Sequence, residues 1–141
     1  MIAYFDTSAL IPLLVEEPST PSCQRLWNDA SRVVATRLLH AEASAALARA
    51  QRMRRLTTRQ LDAALASLED IEAQLDVAEI TDRLVRAAGM LARTHGLRGY
   101  DAVHLAAGLA LGGEDVVFVT GDSTLAAAAR TAGLAVADTN A

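Results

Sequence analysis

The chain has 141 residues, 52% hydrophobic and 21% charged, with 8 Gly and 3 Pro. This balance predicts one domain over residues 1–141 with room for a core, and it excludes a long disordered or collagen-like chain. The formal net charge of -4 excludes a general nucleic-acid coat protein, whose affinity comes from surplus positive charge, but leaves open a nucleic-acid enzyme with a local basic patch. All 13 basic residues are arginine. The lack of lysine removes Schiff-base, pyridoxal-phosphate and P-loop chemistries. A single cysteine, Cys23, excludes an internal disulfide and a cysteine-rich zinc site. No apolar run approaches the roughly 18–20 residues that span a bilayer. The opening Met1–Asp6 lacks a basic leader region, so the expectation is a cytoplasmic protein with no membrane contact.

In chain order, the short apolar runs Ile2–Phe5, Val33–Ala35, Val77–Ile80, Val116–Val119 and Leu134–Val136 read as buried strands. Helical periods separate them. Thr36–Gln51 reads as a helix. Leu61, Leu65, Leu68, Ile71 and Leu75 follow a cap signal at Thr57-Thr58, and Leu84, Ala88 and Leu91 follow Thr81 and stop at Gly96. Strands separated by helices imply parallel pairing through right-handed crossovers. The class is α/β, three layers, with helices on both faces of the sheet. Arg49 to Arg59 holds five arginines and no acid, whereas Glu69 to Asp82 holds six acids and no base. One reading is a pair of helical arms that complement each other; the other is a basic run that attracts phosphate or an acidic partner.

Ligands of open α/β sheets gather at the carboxyl ends of the strands. Asp6 and Asp122 stand just after two of those ends, although each also suits a helix N-cap. Glu42 lies among Leu38, Leu39, Ala45 and Ala46 at helical spacing, so it reads as a carboxylate inside an apolar stripe. Such a group is protonated, paired or metal-bound, and an arginine across the core is the plain alternative. On this reading Glu42→Gln raises the stability of the metal-free protein. Asp101 opens an apolar helical segment and reads either as a cap or as a further member of an acidic cluster. Oxygen-only clusters suit Mg²⁺ or Mn²⁺ and need such ions to offset their repulsion. Zinc is excluded because His40, His95 and His104 lack ligand spacing. His104, three residues after Asp101, reads as a packed histidine bonded to backbone, and Tyr4 and Trp27 read as core.

Four segments in order carry a resemblance: Asp6-Thr7-Ser8-Ala9-Leu10, Glu42 with Ala46-Leu47, Asp101-Ala102-Val103-His104-Leu105-Ala106, and Thr120-Gly121-Asp122-Ser123-Thr124-Leu125. Together they resemble the PIN-domain ribonucleases, specifically the VapC toxins of VapBC toxin–antitoxin pairs, and they span almost the whole chain. The resemblance implies a central five-stranded parallel sheet in a single PIN domain. It implies that Asp6, Glu42, Asp101 and Asp122 bind Mg²⁺ or Mn²⁺ and hydrolyse RNA (tRNA, rRNA or mRNA) through an activated water. It also implies a homodimer and silencing by a VapB-type antitoxin. Asp6 and Asp101 are expected to hold the principal metal, Asp122 to assist, and Glu42 to complete the cage or orient the water. Ser8 and Thr120 are supporting residues, and Arg98 is placed for a substrate contact. The alternatives are an RNA-processing PIN nuclease without an antitoxin, or an idle metal- or RNA-binding PIN scaffold. A haloacid-dehalogenase-type phosphatase is excluded because Ser8 stands where its second aspartate belongs, and a response-regulator receiver because it needs a lysine.

Overall fold

The computed structural model describes residues Met1–Ala141. Strands β1 (Ile2–Phe5), β2 (Arg32–Thr36), β3 (Asp76–Ala78), β4 (Val116–Thr120) and β5 (Ala135–Asp138) form one sheet in the order β3-β2-β1-β4-β5. Every neighbouring pair is parallel. The helices are α1 (Thr7–Leu14), α2 (Thr20–Asp29), α3 (Leu38–Arg52), α4 (Thr58–Gln74), α5 (Asp82–His95), α6 (Gly99–Ala110) and α7 (Ser123–Thr131).

Alternation along the strands makes the three layers. Tyr4, Val34 and Phe118 point into a cluster with Leu84, Ala88, Leu105 and Leu125, from α5, α6 and α7. Their neighbours Ala3, Phe5, Val33, Ala35 and Val119 point into a second cluster with Leu10, Leu39, Ala43 and Leu68, from α1, α3 and α4. A parallel sheet covered on both faces needs apolar residues at consecutive positions, which is why its strands lack polar alternation. Central β1 is accordingly buried throughout from Ala3 to Phe5.

Local signals set the helix ends. The Thr57 hydroxyl accepts from the Gln60 amide while the Gln60 side chain accepts from the Thr57 amide, so α4 opens on a reciprocal cap. Thr81 caps α5 through the Leu84 amide, and Gly96 ends it in the left-handed region at φ 65°. Both ends agree with the sequence. The strand expected at Val77–Ile80 is instead the shorter β3, because this edge strand pairs only with β2 through residues 76–78. Thr36 closes β2 rather than opening α3. Helix α2 gave no clear sequence signal, since Cys23 is its only buried apolar residue and Leu26 and Trp27 are half-buried.

The two charge runs do not pair with each other. Asp76 bonds Arg32, Glu79 bonds Arg37 and Glu72 bonds His40, so the acidic run is answered by β2 and α3. The arms reading is therefore corrected: the acids lie beside the β2–α3 segment, and Arg49 to Arg59 turns outward at the α3–α4 corner. No helix is long and apolar enough to cross a membrane.

Helix α6 approaches β4 through Gly108, where an added Cβ would stand 2.7 Å from the Phe118 ring. That ring is fully buried and stacks on Tyr4 with centroids 5.2 Å apart, so it has little room to yield. Gly108→Ala gains about 1 kcal/mol of helix propensity, but overpacking costs about 1–3 kcal/mol. The expected result is a lower melting temperature; a higher one would show that the α6–β4 contact is loose.

Candidate active site

The carboxyl ends of β1, β2 and β4 lie side by side, and the chain places an acid or a hydroxyl at each. Phe5 pairs with Val119, so Asp6 follows β1 beside Thr120, and its amide donates to the Val119 carbonyl at 3.1 Å. Asp6 occupies the N-cap position of α1 without capping it. Its Oδ1 instead accepts from the Ser8 hydroxyl at 2.7 Å, and Ser8 Oγ accepts from the Gly121 amide at 2.8 Å. Ser8 therefore ties the Asp6 carboxylate to the β4–α7 turn. Thr120 is fully buried, and its hydroxyl accepts from the Asp122 amide at 3.0 Å.

Asp6 is 5% exposed. Burial pushes its carboxyl above the ordinary value. Hydrogen bonds from Ser8 and Thr120 and the charge of His104 act the other way, while the nearby Asp101 carboxylate adds to the rise. Two acids that sense each other across a buried site are a physical argument for an added cation.

Glu42 projects from the first turns of α3. The buried stripe of this helix is Leu39, Ala43 and Leu47, whereas Ala45 and Ala46 are exposed. Glu42 thus sits at the edge of the core, with 29% of its side chain exposed, rather than inside an apolar stripe. No arginine answers it. Its Oε1 accepts from Thr7 Oγ1 at 2.8 Å and from His104 Nε2 at 2.7 Å. Burial alone would raise its carboxyl, but the His104 hydrogen bond and charge, with the Thr7 hydroxyl, hold it below the ordinary value. A depressed pKa means that the ionised group stabilises the fold above its unfolded value, and that this is lost as pH falls through the folded value. Glu42→Gln is therefore expected to lower the melting temperature in EDTA at neutral pH, the reverse of the sequence expectation. The difference from the parent should close below the ordinary glutamate range; a variant that melts higher at pH 7 would overturn this account of Glu42.

His104 is 1% exposed, with Nδ1 2.7 Å from the Tyr4 hydroxyl and Nε2 on Glu42. It is packed as expected, but both ring nitrogens bond side chains rather than backbone. Thr7, Tyr4 and the His104–Glu42 link were missed in the sequence. The available signals were the threonine directly after Asp6 and a histidine one helical turn after Asp101.

Asp101 lies in the first turn of α6 behind the N-cap residue Arg98, so it is not itself the cap. Its Oδ2 accepts from Arg98 Nε at 3.2 Å, and the Arg98 side chain is 84% exposed. Asp122 does cap its helix: its Oδ1 accepts from the Leu125 amide at 3.0 Å.

Hydrogen bonds thus engage one oxygen of each of the four acids. The donor set is entirely carboxylate, which suits a hard divalent cation. As they stand, no three acidic, histidine or cysteine side chains are arranged to hold a metal ion. Each carboxylate faces its own partner, so an ion would compete with the exposed Arg98 for Asp101.

The PIN domain family profile matches residues 3–131. The chain belongs to the PIN-domain family. Within that family it is 40% identical over 136 residues to Ribonuclease VapC45 of Mycobacterium tuberculosis, covering 96% of this chain and 94% of the relative. Solved PIN-domain relatives share the fold at lower identity. Mycobacterium tuberculosis VapC20, described as a sarcin-ricin loop cleaving toxin, superposes with a TM-score of 0.69 at 20% identity, covering 94% of this chain and 95% of that one. A toxin–antitoxin complex from Klebsiella pneumoniae gives 0.62 at 16% identity over 86% of this PIN chain and 87% of its own.

Proposed function

We propose that this PIN domain, spanning residues 1–141, is a Mg²⁺- or Mn²⁺-dependent endoribonuclease and the toxin of a type II toxin–antitoxin pair. The observation that carries the reading is Asp6. It is a buried carboxylate at the centre of the sheet's carboxyl edge, beside Asp101, with a pKa that burial pushes up. Such a group is costly unless a cation or proton joins it. The 40% identity to a VapC ribonuclease supports RNA as the substrate class.

Asp6 and Asp101 are assigned to hold the principal ion and Asp122 to assist through the oxygen its cap leaves free. A bound divalent ion supplies the positive charge that eases ionisation of a water and offsets charge on the leaving oxygen. Glu42, held ionised by His104 and Thr7, completes the carboxylate cage or orients the attacking water. Ser8 fixes the Asp6 carboxylate, and Thr120, whose hydroxyl lies 3.4 Å from Ser8 Oγ, supports it. Arg98 leaves Asp101 to meet a phosphate of the RNA, a role its exposed guanidinium suits.

A VapB-type antitoxin is the proposed partner, supported by the likeness to a chain of a toxin–antitoxin complex. A homodimer is also proposed, with the apolar groove between α5 and α6, lined by Leu84, Met90, Leu91, Ala107 and Leu111, as its candidate face. The cytoplasm is the proposed compartment. Incubating the protein with total RNA in Mn²⁺ or in EDTA, then mapping new ends, tests the reading. Discrete cuts that require metal support it; equal cutting in EDTA would refute the metal-dependent mechanism.

A further inference from the structure

Glu42 is gripped by one oxygen only. Thr7 and His104 both donate to Oε1, and no protein donor reaches Oε2. His104 in turn is buried, so both of its ring nitrogens need partners. Tyr4 supplies the second, at 2.7 Å from Nδ1. Glu42 is a carboxylate that only accepts, so Nε2 carries a hydrogen directed at it, while Nδ1 and the Tyr4 hydroxyl share the second bond.

The three groups come from β1, α6 and α3, and the first two stand close in sequence to further acids of the site. Tyr4 precedes Asp6 by two residues, His104 follows Asp101 by three, and Glu42 is the end of the chain. Packing alone does not require a buried imidazole to point its hydrogen at a part-exposed carboxylate. Its ring also sits edge-on to Tyr4, with centroids 6.0 Å apart, so it is held on two sides.

We propose that Tyr4 and His104 are positioning residues for Glu42. The buried chain, with Tyr4 Oη bonded to His104 Nδ1 and His104 Nε2–H donating to Glu42 Oε1, fixes the glutamate rotamer and leaves Oε2 as the oxygen presented to a divalent ion or to the attacking water. The inference rests on the reading of Glu42 as part of the metal-dependent site.

The test is Mn²⁺ affinity by calorimetry on the full chain without RNA, for the parent, Tyr4→Phe, His104→Leu, His104→Gln and Asp6→Asn. Melting in EDTA is recorded alongside as the measure of fold. Loss of an outer partner of a ligand typically weakens metal binding by about 10–100-fold. His104→Leu is expected to fall in that range and Tyr4→Phe to weaken binding several-fold. His104→Gln, whose amide can donate to Glu42, is expected to recover part of the loss. A structural role alone would lower the melting temperature and leave Mn²⁺ affinity unchanged, and that result overturns the proposal. If His104→Leu does not fold, Tyr4→Phe decides, because it deletes one oxygen and keeps the ring stacked on Phe118. Unchanged Mn²⁺ affinity in Asp6→Asn would instead overturn the underlying metal-site reading.

Discussion

Asp6→Asn is expected to abolish RNA cleavage while raising the melting temperature of the metal-free protein. Both effects come from one buried charge. Burial lifts the Asp6 pKa, the Ser8, His104 and Thr120 interactions offset only part of that rise, and Asp101 adds to it. An acid whose folded pKa lies above its unfolded value penalises the fold once ionised. The penalty is complete above the folded value and vanishes as pH falls below the unfolded one. Once ionised in EDTA the wild type carries it, and asparagine removes it while keeping an acceptor for Ser8 Oγ. The gain should therefore shrink on acidification. Activity should fall by more than the roughly 10–100-fold typical of losing a partner outside the ligand set. Scanning calorimetry in EDTA at two pH values and an RNA digest give both numbers. A variant that melts lower, or still cuts, contradicts the role assigned to Asp6.

The second large effect is stabilisation by the ion itself. A ligand bound only by the folded state at about 100 times its dissociation constant adds roughly 2.7 kcal/mol. For a domain of this size that raises the melting temperature by on the order of 10 °C. The gain here includes relief of the Asp6 penalty and is reduced by the loss of the Arg98–Asp101 bond, a small term because Arg98 is so exposed. Asp122 keeps its cap, since only Oδ1 is used for it. Titrating Mn²⁺ or Mg²⁺ while following melting should show a saturable rise that Asp6→Asn and Asp101→Asn flatten. A curve indifferent to millimolar metal in the wild type would contradict the site.

Much of this was legible in the sequence because it depends on short-range signals. Consecutive apolar residues mark strands buried on both faces, and Thr57, Thr81 and Gly96 mark helix ends through their own backbone chemistry. Asp6, Asp101 and Asp122 could be placed because each stands at a strand end or a helix start, where the α/β plan brings ligands; Glu42, the fifth residue of α3, carries no such signal. What failed needed knowledge of which face of a helix is covered. Ala45 and Ala46 looked like core companions of Glu42, yet α3 buries Leu39, Ala43 and Leu47 and leaves those alanines exposed. That error reversed the predicted sign of Glu42→Gln and transferred the buried-charge penalty to Asp6. Pairing across the fold was equally hidden. Spacing does not reveal that Glu42 meets His104, 62 residues away, or that the acidic run answers Arg32 and Arg37 instead of the 49–59 arginines.

The central claim is that these separate carboxylates close around a divalent cation, and anomalous diffraction from crystals grown with Mn²⁺ tests it most directly. The account predicts an anomalous peak with carboxylate oxygens of Asp6 and Asp101 at about 2.0–2.5 Å, with Asp101 turned away from Arg98. A peak held by other residues, with the Arg98–Asp101 bond intact and Asp6 untouched, would contradict it.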